Sequence, residues 1–522
     1  MGIESMPLPG GNSSPLRERI GRIAGPALFI AILLLPTPAG LEWKAQRMAA
    51  IAALMAVWWI TEAIPIAATA LLPLALAPLL GVMPSARIAL SYGNHLVFLY
   101  MGGFMLALGM ERVNLHRRVA LFTIDAIGAS PRRLVLGFMV STAFLSMWVS
   151  NTATTLVMLP IALAVIRQLA PAARIDGIRV DDGGERIFQG FGSVLLLGLA
   201  FSASVGGVGT VIGTGTTVAF LGFLQERFPD KPPISFSDWA MVGVPVAAVA
   251  LPLMWLYLCR FGSMLRLSRV SFDTGPSVIR AERDKLGAMS DAEITVTVVA
   301  VLTALGWVFR QPLDIGWLHV PGWSSLFADP KGVHDTTVGV LMASMLFVLP
   351  ESWSPRKGPR RALLDWDTIQ NGLPWGVILL LGGGFAMAAG IEESGLAAYA
   401  GSQLGMLRGT PVWILVPSAC LLAVIMTEIT SNVATVLMLA PVLAEAALGL
   451  GINPYLLLIP TTIMTSFAFM LPVATPPNAI VFASGWITIP QMFRAGVVLD
   501  LFALLLVPVM VYFIGGAVFG FS

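Results

Sequence analysis

Apolar runs separated by short polar breaks fill the chain from end to end. They lie near residues 24–36, 47–61, 64–83, 95–110, 134–149, 153–167, 190–205, 216–224, 239–259, 291–308, 336–350, 373–391, 411–427, 433–450, 454–474, 479–488 and 496–520. The run from Ile64 to Met83 holds no ionisable side chain and has the roughly 20 residues a helix needs to cross a bilayer. The runs are continuous rather than alternating, which excludes a transmembrane β-barrel. An all-α polytopic membrane protein is predicted. Several runs are too short to cross alone, and these cluster around two polar motifs and two Gly/Pro-rich breaks.

The polar motifs are one motif written twice: Ser150-Asn151-Thr152-Ala153-Thr154 and Ser431-Asn432-Val433-Ala434-Thr435, offset by 431 − 150 = 281. The same offset carries Gly103-Phe104 onto Gly384-Phe385, Gly109 onto Gly390, and Pro160 onto Pro441. The breaks, Gly206 to Gly215 and Leu471 to Asn478, align Thr214 with Thr475 at 475 − 214 = 261. The offset falls because the first half carries a longer polar insert, Pro171 to Glu185, expected as a solvent loop. Pro472, Pro476 and Pro477 cannot sit in an undisturbed helix. Irregular backbone in hydrocarbon survives only where protein or a wet cavity covers it. Paired short segments in matching halves point to a transport site at the bilayer midplane. Each Ser-Asn motif, flanked by two short apolar arms, is expected to tip a re-entrant hairpin.

The expected division is 1–130 (scaffold helices), 131–260 (first hairpin and broken helix), 261–289 (linker), 290–410 (second scaffold) and 411–522 (second hairpin, broken helix, last helix). The stretch Gln311 to Val333, with Trp317 and Trp323, is expected outside the membrane.

Composition sharpens the class. Of 522 residues, 57% are hydrophobic and 11% charged, with mean hydropathy +0.83, against about 25% charged in soluble proteins. The net charge of +2 is uninformative, but its placement is not. Basic clusters at Arg17 to Arg22, His116-Arg117-Arg118 with Arg132-Arg133, Arg260 to Lys285 and Arg356 to Arg361 are expected to mark cytoplasmic loops. They are short and flank membrane segments, so no nucleic-acid face is assigned. Residues 1 to 16 lack a cleavable secretory pattern, so the first apolar run is expected to stay as a signal-anchor. Cys259 and Cys420 are expected as inert core thiols. His95, His116, His319 and His334 have no metal spacing and are expected in loops or at interfaces. No cofactor other than coupling ions is expected.

Hairpin tips and half-helix starts aimed at one cavity bind anions without a buried Arg or Lys, because their N–H groups are unpaired and carry partial positive charge. Asn151 and Asn432 add amides, and Thr152 adds a hydroxyl. The opposite ends expose carbonyls; with Ser146, Ser150, Ser431 and Thr427 they offer the hard neutral oxygens that suit sodium. Glu428 sits inside an apolar run beside the second tip, and three roles stay open for it: tuning the site, carrying a proton, or pairing structurally. Glu62 is expected as an interfacial cap; Glu111, Glu392 and Glu393 are expected to mark helix ends.

These residues resemble the divalent anion/sodium symporters (the DASS family), which carry di- and tricarboxylates or sulfate. Ser466 to Phe482 is the most specific element; Trp59-Ile60-Thr61-Glu62-Ala63-Ile64-Pro65, Gly102-Gly103-Phe104 and the Ser-Asn motifs agree with it, and the likeness covers nearly the whole chain. The resemblance implies about eleven spanning helices and two re-entrant hairpins, inverted repeats, a homodimer, and an elevator mechanism. It implies one sodium site at Ser146, Ser150, Asn151 and Gly213, and another at Thr427, Thr430, Asn432 and Ala474. The carboxylate would sit on Asn151, Thr152, Asn432, Val433, Thr214, Thr475 and Pro476. Two positions depart from the family. Val433 replaces a usual Thr, as in some citrate-type relatives, and Thr214-Gly215-Thr216-Thr217 replaces a break ending Thr-Pro-Pro-Asn.

The expected function is sodium-coupled transport of C4-dicarboxylates such as succinate, malate or fumarate, with citrate possible, across the plasma membrane of a bacterium. Sulfate symport and sodium-independent exchange are the alternatives. An intramembrane hydrolase lacks a Ser/His or Asp/Asp pair at helix depth, so no enzyme is expected, and an anion channel would show unsaturable flux.

Overall fold

The computed structural model describes residues 15–520, except 129, 170–172, 176–177, 180–183, 261–269, 273–274, 315–318, 354–360 and 405–409. The leading residues 1–14, Trp317 and most of the Arg356 to Arg361 cluster lie outside the described residues, as do parts of the insert and the linker.

The first half opens with α1 (Pro15–Leu34) and α2 (Trp43–Thr61), which pack along one another. Glu62 ends α2 in the left-handed region at φ 51°. The run 64–83 does not form the single span expected from its hydropathy. It divides into α3 (Ile66–Thr69) and α4 (Leu72–Leu79), separated at Ala70-Leu71. Pro65, Pro73 and Pro78 withhold backbone donors from this stretch. The Tyr92 hydroxyl donates to the Ala70 carbonyl at 2.5 Å, satisfying an acceptor at the break.

There follow α5 (Ser85–Tyr92), α6 (His95–Arg112, capped by Asn94), α7 (Leu115–Ile127), α8 (Pro131–Ser146), α9 (Asn151–Leu169), α10 (Gly184–Gly207), α11 (Gly215–Arg227) and α12 (Phe236–Arg260). His116, Arg117 and Arg118 lie in the first turn of α7, not in the loop the charge pattern indicated. A buried arginine needs a buried acid, and Arg118 Nε sits 2.7 Å from Glu293 Oε1. His116 is buried as well.

The hydrophilic insert and the linker pair with one another. β1 (Ala173–Ile175) lies antiparallel to β2 (Ile178–Arg179) on one side and β3 (Val270–Phe272) on the other. The linker then forms α13 (Gly275–Asp284), packed on α7 and α9. Part of the 311–333 stretch is a two-stranded hairpin, β4 (Leu313–Asp314) with β5 (His319–Val320), followed by a 3-10 turn at Trp323–Leu326.

The second half runs α14 (Asp291–Val308, with a Ser290/Glu293 capping box), α15 (Asp335–Met345), α16 (Trp366–Gly372), α17 (Trp375–Glu393), α18 (Leu396–Leu404), α19 (Val412–Thr427), α20 (Asn432–Leu450), α21 (Tyr455–Thr465), α22 (Pro476–Ala483), α23 (Ile489–Met510) and α24 (Gly516–Phe519). The apolar run 454–474 stops being helical at Thr465, nine residues before hydropathy alone would end it.

Among the described residues, seven helical stretches are long and apolar enough to cross a membrane, including Phe236–Arg260, Trp375–Glu393 and Ile489–Phe519. Val298, Val301, Leu302 and Leu305 on α14 and Leu501, Leu505 and Val509 on α23 are exposed. Apolar side chains facing outward on such helices fit hydrocarbon rather than water. The protein is an all-α, multi-pass membrane protein.

Two helical hairpins, α8–α9 and α19–α20, hold the Ser-Asn motifs at their tips, and each half has a broken helix, α10/α11 and α21/α22. The halves exchange partners: α11 packs on α20, and α22 packs on α9. Each broken helix therefore meets the hairpin of the other half.

Candidate functional site

At the first tip α8 ends at Ser146 and α9 starts at Asn151. The Ser146 hydroxyl lies 2.6 Å from Asn151 Oδ1 and 2.7 Å from the Ala203 carbonyl of α10. Ser150 turns its hydroxyl onto the Ala153 N–H at 3.2 Å, an N-cap that the small polar residue before a helix start provides. Gly213, in the break, has no room for a side chain. A methyl there would lie 2.4 Å from the Gly207 carbonyl and 2.8 Å from the Ser146 carbonyl. A methyl on Gly207 would lie 2.4 Å from Asn151 Oδ1. Thr210 braces this turn, accepting from Gly213 N at 3.1 Å and donating to the Met147 carbonyl. The structure thus brings Ser146, Asn151 and Gly213 together, with carbonyls of Gly207 and Ser146 beside them. All these oxygens are neutral.

The second tip repeats this arrangement at the same offset of 281. Thr427 (146 + 281) lies 2.8 Å from Asn432 Oδ1 (151 + 281) and 2.7 Å from the Thr465 carbonyl. Thr430 contacts Thr435 at 2.7 Å and the Met426 carbonyl at 3.0 Å. Ala474 lies buried in the second break, directly before Thr475. Both asparagines are the first residue of their helix, so each amide stands at a helix N-terminus. Thr152 and Val433 follow them, both half-buried.

The breaks differ where their sequences differ. Thr475 caps α22 by accepting from Asn478 N at 3.3 Å, and Pro476 and Pro477 have no N–H, so the first turn of α22 has few free donors. Asn478 pins the break with Nδ2 bonds to the Ala468 and Leu471 carbonyls, 3.0 Å each. Thr214 caps nothing. Its hydroxyl instead meets Thr216 Oγ1 at 3.1 Å, and Thr216 meets Ser466 Oγ at 2.8 Å, linking the two halves through buried hydroxyls. Where the second break has Pro477, the first has Thr216 acting as this cross-half tie. The start of α11 keeps the N–H groups of Gly215, Thr216 and Thr217. A methyl on Gly215 would lie 3.0 Å from Val433 Cγ2, so the start of α11 meets the second tip directly.

Glu428 has a clear structural partner. Its carboxylate accepts from Met470 N at 2.8 Å and Leu471 N at 3.0 Å, holding the unwound backbone of the second break. Sequence reasoning missed Asp500 on α23, which stands buried beside Glu428 and the Phe469 backbone. A lone acid in the 496–520 apolar run was the signal.

The other flagged residues lie elsewhere. Glu62 is 3.8 Å from Arg17, and Glu392 pairs with Arg227 at 3.0 Å. His95 stacks on His334 with ring centroids 4.5 Å apart. Cys259 and Cys420 are buried free thiols. Among the described residues no cluster of three or more His, Cys, Asp or Glu is arranged to hold a metal.

Comparisons with known proteins agree with this architecture. The sodium-dependent dicarboxylate transporter SdcS of Staphylococcus aureus (strain MSSA476) is 39% identical over 503 residues, covering 96% of this chain and 92% of that protein. SdcS of strain NCTC 8325 / PS 47 matches to the same extent. The structure of Neisseria gonorrhoeae MtrF superposes with a TM-score of 0.54 over 96% of this chain and 95% of its own, at 13% identity, a likeness of fold alone. The family profile described as the sodium:sulfate symporter transmembrane region matches residues 17–519. This chain belongs to the sodium:sulfate symporter family.

Proposed function

We propose that the protein is a sodium-coupled secondary transporter of C4-dicarboxylates such as succinate, malate and fumarate, with citrate within reach, acting in a bacterial plasma membrane. The observation that carries this reading is the duplicated tip. Ser146–Asn151 and Thr427–Asn432 make the same contacts 281 residues apart, each beside a helix break. One sodium ion binds at Ser146, Ser150, Asn151 and Gly213, and a second at Thr427, Thr430, Asn432 and Ala474. Neutral oxygens bind sodium without trapping it, as a coupling ion requires. The dianion sits between them on Asn151, Thr152, Asn432, Val433, Thr214, Thr475 and Pro476. Two sodium ions balance its two charges, so the loaded site is electrically neutral and cheap to move through hydrocarbon, whereas a half-loaded site is not.

In this reading the hairpins are re-entrant, the halves are inverted repeats with about eleven spanning helices, and the protein is a homodimer surrounded by lipid. The hairpins and broken helices slide as an elevator against the remaining helices. The name of the SdcS relative supports the dicarboxylate, and its match over nearly the full chain supports sodium coupling. The family description favours sulfate as a second reading. Labelled succinate uptake into proteoliposomes, with unlabelled citrate and sulfate as competitors, decides between them. Competition by dicarboxylates but not sulfate is expected; block by sulfate alone would overturn the substrate class.

A further inference from the structure

Gly215 begins α11 at the point where three elements converge. A methyl there would lie 3.0 Å from Val433 Cγ2 on α20, 3.3 Å from the Tyr100 hydroxyl on α6 and 3.5 Å from Val377 Cγ1 on α17. Tyr100 is 5% exposed, and its ring stands edge-on to Phe104 at 4.7 Å. Its hydroxyl makes no hydrogen bond among the described residues. That hydroxyl is free to take a partner that the protein itself does not supply.

The position beside it explains what that partner is. At the first tip the residue after the asparagine is Thr152, which offers a hydroxyl; at the second it is Val433, which does not. Val433, of the tip that lacks the hydroxyl, and the Tyr100 hydroxyl both border Gly215. Gly215, with no side chain, spares this point the crowding that a methyl would bring, and the uncapped N–H groups at the start of α11 border it.

We propose that Tyr100 is a substrate-binding residue: its hydroxyl donates to a carboxylate oxygen of the transported dianion, in the role that a threonine at position 433 would fill. This rests on the dicarboxylate reading above. It also brings α6, outside the hairpins and broken helices, into contact with the substrate. If those parts move as an elevator, the Tyr100 bond exists in only one position of the cycle.

Tyr100→Phe removes the hydroxyl and keeps the ring. In proteoliposomes it is expected to raise the succinate KM about tenfold, the scale of one hydrogen bond to a charged group. The sodium half-saturation at saturating succinate and the size-exclusion profile should not change. Val433→Thr in the Tyr100→Phe background should recover most of the loss, which a merely structural tyrosine would not allow. If Tyr100→Phe does not fold, Gly215→Ala is read instead: its methyl crowds the hydroxyl and should raise KM with the tyrosine intact. Wild-type succinate KM in the folded variant would overturn the assignment while leaving sodium-coupled uptake standing. Failure of the wild-type protein to take up any dicarboxylate would remove both readings.

Discussion

Asn151 and Asn432 hold the account together at the scale of single residues, because each amide oxygen meets the last hydroxyl of the preceding arm. Asn151→Ala or Asn432→Ala removes that oxygen and leaves the Ser146 or Thr427 hydroxyl with the Ala203 or Thr465 carbonyl alone. At about 1–3 kcal/mol for each lost bond, uptake should fall by roughly a hundredfold or more in a protein that still runs as a folded species on size exclusion. Glu428→Gln keeps one acceptor oxygen but turns an amide NH2 toward the backbone N–H of either Met470 or Leu471. It should cost about 1–3 kcal/mol of stability, read as an earlier melting transition in detergent. Val433→Thr alone should change the ranking among carboxylates more than the sodium dependence; an unchanged substrate profile would contradict that. The paired tips were legible in the chain because Ser-Asn-x-Ala-Thr recurs at one fixed offset. Tyr100, and the contact that Ser466 makes across the halves, were not. Each becomes meaningful through a contact more than a hundred residues away, to Gly215 and Thr216 respectively, that no local pattern encodes.

Elements were read well where polarity ended them and poorly where geometry did. The hairpin arms α8, α9, α19 and α20 begin and end within a few residues of their apolar runs. The division of 64–83 into α3 and α4 was invisible to hydropathy, since prolines and a borrowed tyrosine hydroxyl break the backbone without adding charge. The amphipathic α7 was hidden for the opposite reason: its basic residues look solvated until Glu293 arrives from another helix to pair with Arg118. The first break depends on closeness of backbone. Gly213→Ala would drive a methyl into the Gly207 and Ser146 carbonyls, whereas Gly376→Ala would meet its nearest neighbour, Ala67 Cβ, at an ordinary 3.7 Å. The first should raise the sodium half-saturation about tenfold or more while the second stays near wild type, in paired uptake titrations. Equal behaviour of the two would separate Gly213 from the ion site.

The whole molecule joins its halves by exchange: α11 lies on the second hairpin and α22 on the first. Ties farther from the site hold this frame. Arg118 with Glu293 joins α7 to α14, and Arg227 with Glu392 and Glu445 joins α11 to α17 and α20. Arg118→Met leaves Glu293 buried without its charge partner, which should cost about 3–5 kcal/mol and appear as lost folded yield rather than as altered substrate preference. The central claim is that neutral oxygens at two matched tips couple sodium to a dianion. Its most direct measurement is accumulation of labelled succinate in proteoliposomes under an inward sodium gradient, repeated with potassium in place of sodium and no other gradient. Saturable accumulation above the external concentration with sodium, and none with potassium, is the predicted result. Equal uptake in both salts, stimulated by succinate trapped inside, would contradict it and make the protein an exchanger.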